Sequence, residues 1–175
     1  MPTRKSVTRS VRLDADVDGL VQALAAKERV SVNLLINKAL RKFVNWDTLA
    51  ANFGFMSLPS SLHAKMFGLI TQDEAKELGQ WLGHNFGKDF VMFWFKKIDV
   101  ESILKALELL SSDYARVFQF EHSSSGREHT LVIKHGRGVN GSIFNAEFLR
   151  TLFKDLKKEV RIEMTEDQVV AHVLA

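Results

Sequence analysis

No cysteine occurs in this sequence of 175 residues. Its absence excludes disulfides, thiolate nucleophiles, cysteine-ligated zinc and iron–sulfur clusters, so a bound metal would need histidine and carboxylate ligands. Long apolar runs are also missing, because the longest candidate, residues 90–95, falls far short of the roughly 18 to 20 residues that a membrane span needs. The basic N-terminus is not followed by a hydrophobic signal segment. We therefore expect a cytoplasmic protein that neither crosses a membrane nor is secreted.

The sequence also offers no catalytic set of side chains. No nucleophile, base and acid stand at a useful spacing, and the serine run 123–125 before Gly126 is typical of a turn. The segment 136–141 contains three glycines but lacks the lysine and the register of a phosphate-binding loop, so we interpret it as a mobile connection. We expect a protein that is not an enzyme and needs no cofactor.

The residues that are present indicate a folded protein with unevenly distributed charge. Hydrophobic residues make up 46% and charged residues 26% of the chain, as in ordinary globular proteins. Residues 1–45 hold nine Lys/Arg against four Asp/Glu, whereas the rest of the chain has a small excess of acid. Basic charge is thus concentrated at the N-terminus, where a polyanion could bind.

The first 45 residues contain signals for one strand and two helices. Residues 6–13 mostly alternate between polar and apolar side chains, which is typical of a strand. Asp14 can cap a helix over residues 15–28, whose apolar residues recur at spacings of three and four. Ser31 can cap a second helix over residues 32–45. A lone strand and two short helices cannot bury their apolar faces, so we expect this unit to pair with a second copy.

This order of elements resembles the ribbon-helix-helix family, which includes the Arc, MetJ and CopG repressors. The similarity rests on residues 10–14 at the junction of strand and helix and on residues 31–40 at the start of the second helix. It implies that residues 1–45 form an N-terminal DNA-binding domain, an intertwined dimeric β-ribbon with two helices. The expected fold class is therefore an N-terminal ribbon-helix-helix unit followed by an α+β domain.

The resemblance also implies which side chains contact DNA. In that family an antiparallel β-ribbon enters the major groove, so one strand face would read base edges. That face here consists of Thr8, Ser10 and Arg12. The free N–H groups at the start of the second helix could bind a phosphate. With the basic residues before and within the strand, the expected phosphate contacts are Arg4, Lys5, Arg9, Ser31, Val32 and Asn33.

The rest of the chain reads as a packed linker, residues 46–70, followed by an α+β domain, residues 71–175. Thr71 begins a capping box, and Asp99 marks another helix start. Two strands, a further helix and two final strands are predicted after them, at 117–122, 129–135, 143–158, 160–164 and 169–173.

The segment 89–97 could be a strand or a helix, and the choice affects the fold. As a strand it would give a domain similar to the ACT-type regulatory domain of nickel-responsive regulators. As a helix it would give one that resembles the vinyl-reductase-type ligand-binding domain, related to small subunits of TRAPP tethering complexes. We favour the helix, because residues 147–153, 160–166 and 169–173 are similar to the end of that family. The family's usual cysteines are missing, so the resemblance implies no metal or redox role.

Three histidines are candidate metal ligands. His122, His129 and His135 belong to the predicted hairpin, and the last two share a strand face. Their spacing is not diagnostic, and ordinary neutral histidines are commoner than an all-histidine site, so we expect no metal.

These observations predict a homodimeric, sequence-specific transcription regulator of the repressor class that binds double-stranded DNA at the nucleoid. Its second domain would sense a small-molecule effector or extend the dimer. Two alternatives remain open: a constitutive DNA-architectural protein, and an antitoxin-like module whose partner is another protein.

Overall fold

The computed structural model describes residues 7–111 and 114–174. The chain divides into two units, Met1–Asp47 and Thr48–Ala175. Most of the segment that we expected to be a linker thus lies within the second unit. No helix in the described ranges is long and apolar enough to cross a membrane.

The described part of the first unit is mainly helical. Helix α1 spans Ala15–Glu28 and helix α2 spans Val32–Lys42, with a π-helical turn at Phe43–Asp47. Arg29 ends α1 in the left-handed conformation, with φ 56°, and its N–H donates to carbonyls of the last turn. Both helices were predicted from their apolar spacing, and both are confirmed.

The predicted N-terminal strand does not occur. Residues 7–14 have no regular secondary structure, and all strands of the described chain lie in residues 119–174. The protein is α+β, but in the described residues seven helices precede the first strand and no strand occurs near the N-terminus, so the expected N-terminal ribbon-helix-helix fold is wrong. The physical reason is that a strand requires a hydrogen-bonded neighbour, which an alternating side-chain pattern over residues 6–13 does not by itself supply.

The second unit combines helices with a four-stranded sheet. Its helices are α3 (Thr48–Phe53), α4 (Ser60–Phe67), α5 (Gln72–Leu82), α6 (Lys88–Phe95), α7 (Val100–Leu110) and α8 (Gly138–Lys154), with a π-helical turn at Gly83–Gly87. Its strands are β1 (Gln119–Ser125), β2 (Glu128–Lys134), β3 (Val160–Met164) and β4 (Gln168–Leu174). The sheet is antiparallel throughout, in the order β1-β2-β4-β3.

The core of the second unit surrounds α8. This helix packs against α5 and the turn Gly83–Gly87 and also against β3 and β4. On the two central strands every second side chain is buried, because successive residues point to opposite faces of a sheet. The residues on the buried face, all 0% exposed, are Leu131, Ile133, Val169, Ala171 and Val173. From α8 the fully or almost fully buried apolar residues include Ala146, Phe148, Leu149, Leu152 and Phe153.

Most local signals in the second unit are confirmed. The capping box of Thr71 forms, and Asp99 caps α7 through the N–H of Ser102 at 2.8 Å. The segment 89–95 is helical, as we favoured. The interpretation of 136–141 as a mobile connection is wrong from Gly138 onward, because α8 begins there. The left-handed φ of 69° at Gly138 explains why a glycine starts this helix.

A stripe of three glycines allows α8 to lie very close to the preceding helical segment. Gly79, Gly83 and Gly87 recur every four residues and therefore share one helix face. A Cβ atom at position 83 would lie 2.8 Å from the Phe148 carbonyl oxygen, and one at position 79 would overlap the Phe144 carbonyl. The absence of these side chains sets the separation of the two helices.

We expect Gly79→Ala to destabilise the second unit by about 1–3 kcal/mol, because the added methyl group would force α5 away from α8. Gly19→Ala is the matched control. A Cβ at position 19, also within a helix, meets no atom within 4 Å, so this variant should gain about 0.5–1 kcal/mol of stability. Urea unfolding followed by circular dichroism measures both. Equal stability of the two variants would contradict the close packing.

Candidate functional site

The irregular segment 7–14, here called the N-terminal arm, carries four of the nine predicted DNA contacts, including all three predicted base contacts. Every one of its residues is exposed. The arm therefore presents two guanidinium groups and two short hydroxyl groups to solvent, on Thr8, Arg9, Ser10 and Arg12. The other two predicted contacts near the N-terminus, Arg4 and Lys5, lie outside the described residues.

The start of α2 holds the remaining predicted phosphate contacts. The Ser31 hydroxyl accepts a hydrogen bond from the Leu34 N–H at 3.2 Å, which confirms its role as a helix cap. Val32 is half-buried and Asn33 is exposed. The first turn of α2 contains no acidic residue, so the positive end of the helix dipole is not opposed by a nearby carboxylate of that turn.

The large apolar side chains of the first unit are mostly exposed. Among its described residues only Ala25 and Trp46 are buried. Leu20 is 71% exposed, and Leu34 and Phe43 are 55% and 56% exposed. The other exposed apolar residues of this unit are Val7, Val11, Leu13, Val17, Leu24, Leu40 and Val44. An apolar surface of this extent is typical of a protein–protein contact.

The three candidate histidines do not form one cluster. His122 and His129 contact each other on neighbouring strands, with 2.9 Å between Nε2 and Nδ1. His135 instead binds Ser142 on α8. No group of three or more histidine and acidic residues in the described ranges could hold a metal ion.

The His135 side chain is buried between the end of β2 and α8. Its Nε2 lies 2.9 Å from the Ser142 hydroxyl, and its Nδ1 accepts a hydrogen bond from the Arg137 N–H at 3.1 Å. The second contact requires an unprotonated Nδ1, so the proton of the neutral ring lies on Nε2. Burial, together with the nearby charge of Arg137, lowers the pKa of His135 to about 4. The imidazole is therefore uncharged near neutral pH.

Arg137 is the least expected feature of the second unit. It is only 6% exposed, and none of its three guanidinium nitrogens has a hydrogen-bond partner among the described residues. Its cation lies over the Phe67 ring, 5.4 Å from the centroid. Burial lowers the pKa of Arg137 to about 10, so the group stays charged at neutral pH. A buried cation is costly unless an anion or a set of acceptors compensates for the lost hydration.

An open groove of about 780 Å³ runs alongside this region. It is bordered by Ser60 at the start of α4, by Lys134, His135 and Gly136 at the end of β2, and by Asp167 before β4. The carboxylate of Asp167 accepts a hydrogen bond from the Gly138 N–H at 2.8 Å. Gly136, which lines the groove, immediately precedes Arg137 in the sequence.

Sequence reasoning missed Arg137 because its surroundings come from distant parts of the chain. Phe67 and His63 belong to α4, which lies about 70 residues before Arg137 in the sequence. The glycines that flank Arg137 give no sign that α4 packs over this arginine. The glycine spacing around Arg137 was visible, but the local pattern was compatible with an ordinary loop.

Comparison with known proteins adds no further assignment. No protein-family model matches the chain, and no curated protein matches its sequence.

Proposed function

We propose that this protein is a homodimeric, DNA-binding transcription regulator whose second unit senses a small molecule or extends the dimer. The first unit would bind DNA through the exposed N-terminal arm and the capped start of α2. This role would place the protein in the cytoplasm, at the nucleoid.

The observation that carries the proposal is the combination of basic charge and exposed apolar surface in the first unit. Residues 1–45 have five more basic than acidic residues. Because most of their large apolar side chains are exposed and, among the described residues before Trp46, only Ala25 is buried, the two helices do not form a core of their own. A second copy brings an identical apolar surface, and a twofold symmetric contact is the commonest way to cover one. Pairing would also place two basic arms on one assembly, which increases attraction to the phosphate backbone.

The second unit supports the sensing role in a different way. It has a complete core of its own, so it does not need the first unit for burial of its apolar residues. Because residues 89–95 are helical, the order of helices and strands in this unit resembles that of vinyl-reductase-type ligand-binding domains. A ligand that binds one arrangement of the dimer better than another would shift the DNA-binding population.

The test is the salt dependence of DNA binding by the full chain and by the double variant Arg9→Ala, Arg12→Ala. A fluorescent duplex of random sequence is titrated at several salt concentrations. We expect the logarithm of the binding constant to fall linearly with the logarithm of salt. The slope of the double variant should be smaller by about 0.9 for each phosphate that the arm no longer neutralises.

The matched control is Arg127→Ala, Arg161→Ala, which removes the same charge from two exposed positions of the second unit. Its slope should equal that of the unaltered chain. Equal slopes for both double variants would show that the arm does not bind DNA. Absence of DNA binding by the unaltered chain would favour a protein-interaction module instead.

A further inference from the structure

The unpartnered guanidinium of Arg137 indicates a missing acceptor. A guanidinium has five N–H donors in one plane, and its natural partner is an anion with two oxygens. In the described chain no carboxylate forms an ion pair with Arg137, and its three nitrogens are buried without acceptors. The Phe67 ring offsets part of the charge but accepts no N–H bond in the guanidinium plane.

The surroundings of Arg137 define the charge of the missing partner. His135 is neutral, because burial and the charge of Arg137 lower its pKa to about 4. The pKa of His63 is lowered by burial and by the same charge. Arg137 is thus the one cation of this trio at neutral pH. A single positive charge in a buried site matches a monoanion better than a doubly charged phosphate.

Apolar side chains define the rest of the site. The Phe67 ring lies 5.1 Å from the Phe144 ring at an interplanar angle of 65°, and the His63 ring lies 5.3 Å from Phe67. Phe67 and Phe144 are 4% and 9% exposed. A ligand that reaches the guanidinium would therefore meet aromatic surface on its way.

We propose that Arg137 anchors a binding site for a small organic carboxylate between α4 and α8, with Phe67 and Phe144 as its apolar walls. The inference deepens the proposed function, because it rests on the sensing role of the second unit and names the chemical class of the effector. The carboxylate would accept two N–H bonds from the guanidinium, and the apolar body would pack against the rings.

Helix α4 controls access to this site. Asn140 on α8 holds the C-terminal end of α4, since its amide donates to the carbonyls of Phe67 at 3.0 Å and Ile70 at 2.7 Å. At the other end, Ser60 borders the open groove and follows the irregular segment 55–59. The ligand would enter from the groove as the Ser60 end of α4 moves outward.

The experiment is a calorimetric titration of the full chain with benzoate in the absence of DNA. Benzamide has the same size but no charge, and it should bind at least about tenfold more weakly than benzoate. Arg137→Met should weaken benzoate binding by at least about tenfold, whereas Arg127→Met, which removes an exposed arginine, should leave it unchanged. Phenylacetate and octanoate are titrated in the same way, each with its amide, because their apolar groups differ from that of benzoate in size and shape.

Any of four results would overturn the proposal. The first is that none of the three carboxylates binds the unaltered chain. The second is that the amides bind as tightly as the carboxylates, and the third is that Arg137→Met binds the carboxylates as tightly as the unaltered chain does. The fourth is that inorganic phosphate, titrated as a further probe, binds as tightly as benzoate, which would indicate a site for any simple anion. Because no DNA is present, failure of this titration is distinguishable from failure of the DNA-binding function.

Discussion

Arg137→Met is expected to raise the free energy of unfolding of the ligand-free protein by about 1–4 kcal/mol, because it removes a buried charge whose N–H donors have no hydrogen-bond partner. Methionine keeps most of the length of the side chain and can pack against the Phe67 ring. It removes the charge and the unsatisfied N–H donors of a residue that is only 6% exposed. Urea unfolding of the full chain at neutral pH measures the change.

Arg127→Met is the control for this measurement, because position 127 is exposed in the turn between β1 and β2. This variant should change the free energy of unfolding by no more than about 0.5 kcal/mol. A large loss of stability in Arg137→Met, with Arg127→Met unchanged, would show that the guanidinium is already well compensated in the free protein. In that case Arg137 would be a structural residue.

We also expect the free energy of unfolding to depend strongly on pH because of His135. The pKa of this histidine is lowered to about 4 in the folded protein, whereas an unfolded histidine has a pKa near 6.5. Between these values the unfolded chain binds more protons, so stability falls as pH decreases from about 6.5 to about 4. The side chain is 0% exposed, and the full difference in pKa corresponds to a loss of up to about 3 kcal/mol.

The measurement is the free energy of unfolding at a series of pH values for the unaltered chain and for His135→Gln. Glutamine retains a donor and an acceptor but does not titrate, so the dependence on pH between about 4 and about 6.5 should be much weaker. His84→Gln replaces an exposed histidine and serves as the control. If His135→Gln and His84→Gln have the same pH dependence, the buried imidazole does not govern acid stability.

The sequence predicts the capped helices α2, α5 and α7 well, because their signals are local, but α3 and α4 were not predicted and lie in the segment 46–70 that was interpreted as a linker. Caps at Ser31, Thr71 and Asp99 determine where these helices begin, and apolar residues at spacings of three and four mark the faces that α5 and α7 bury, whereas α2 buries none of its residues. The hairpin of β1 and β2 was also predicted, but its turn is shorter than expected, because Ser123–Ser125 belong to β1 and pair with β2 while only residues 126–127 form the turn. In each case the interactions that decide the structure lie within one or two turns of chain.

The errors have a common cause, which is dependence on partners distant in the sequence. Alternation in residues 6–13 indicated a strand, but strand formation depends on a neighbour that local pattern does not reveal. The burial of Arg137 depends on α4, and the importance of Gly79 depends on the approach of α8. The predicted DNA contacts Thr8 and Arg12 are exposed, and they remain predictions.

The most direct test of the central claim is selection of DNA from a random duplex library by the full chain, followed by measurement of how many chains bind each selected duplex. A homodimeric regulator should enrich a sequence with two repeated or palindromic half-sites and bind it as two chains. Arg12→Ala should weaken binding to that sequence more than to scrambled DNA. Recovery of DNA without any enriched sequence, or of no DNA at all, would contradict the claim.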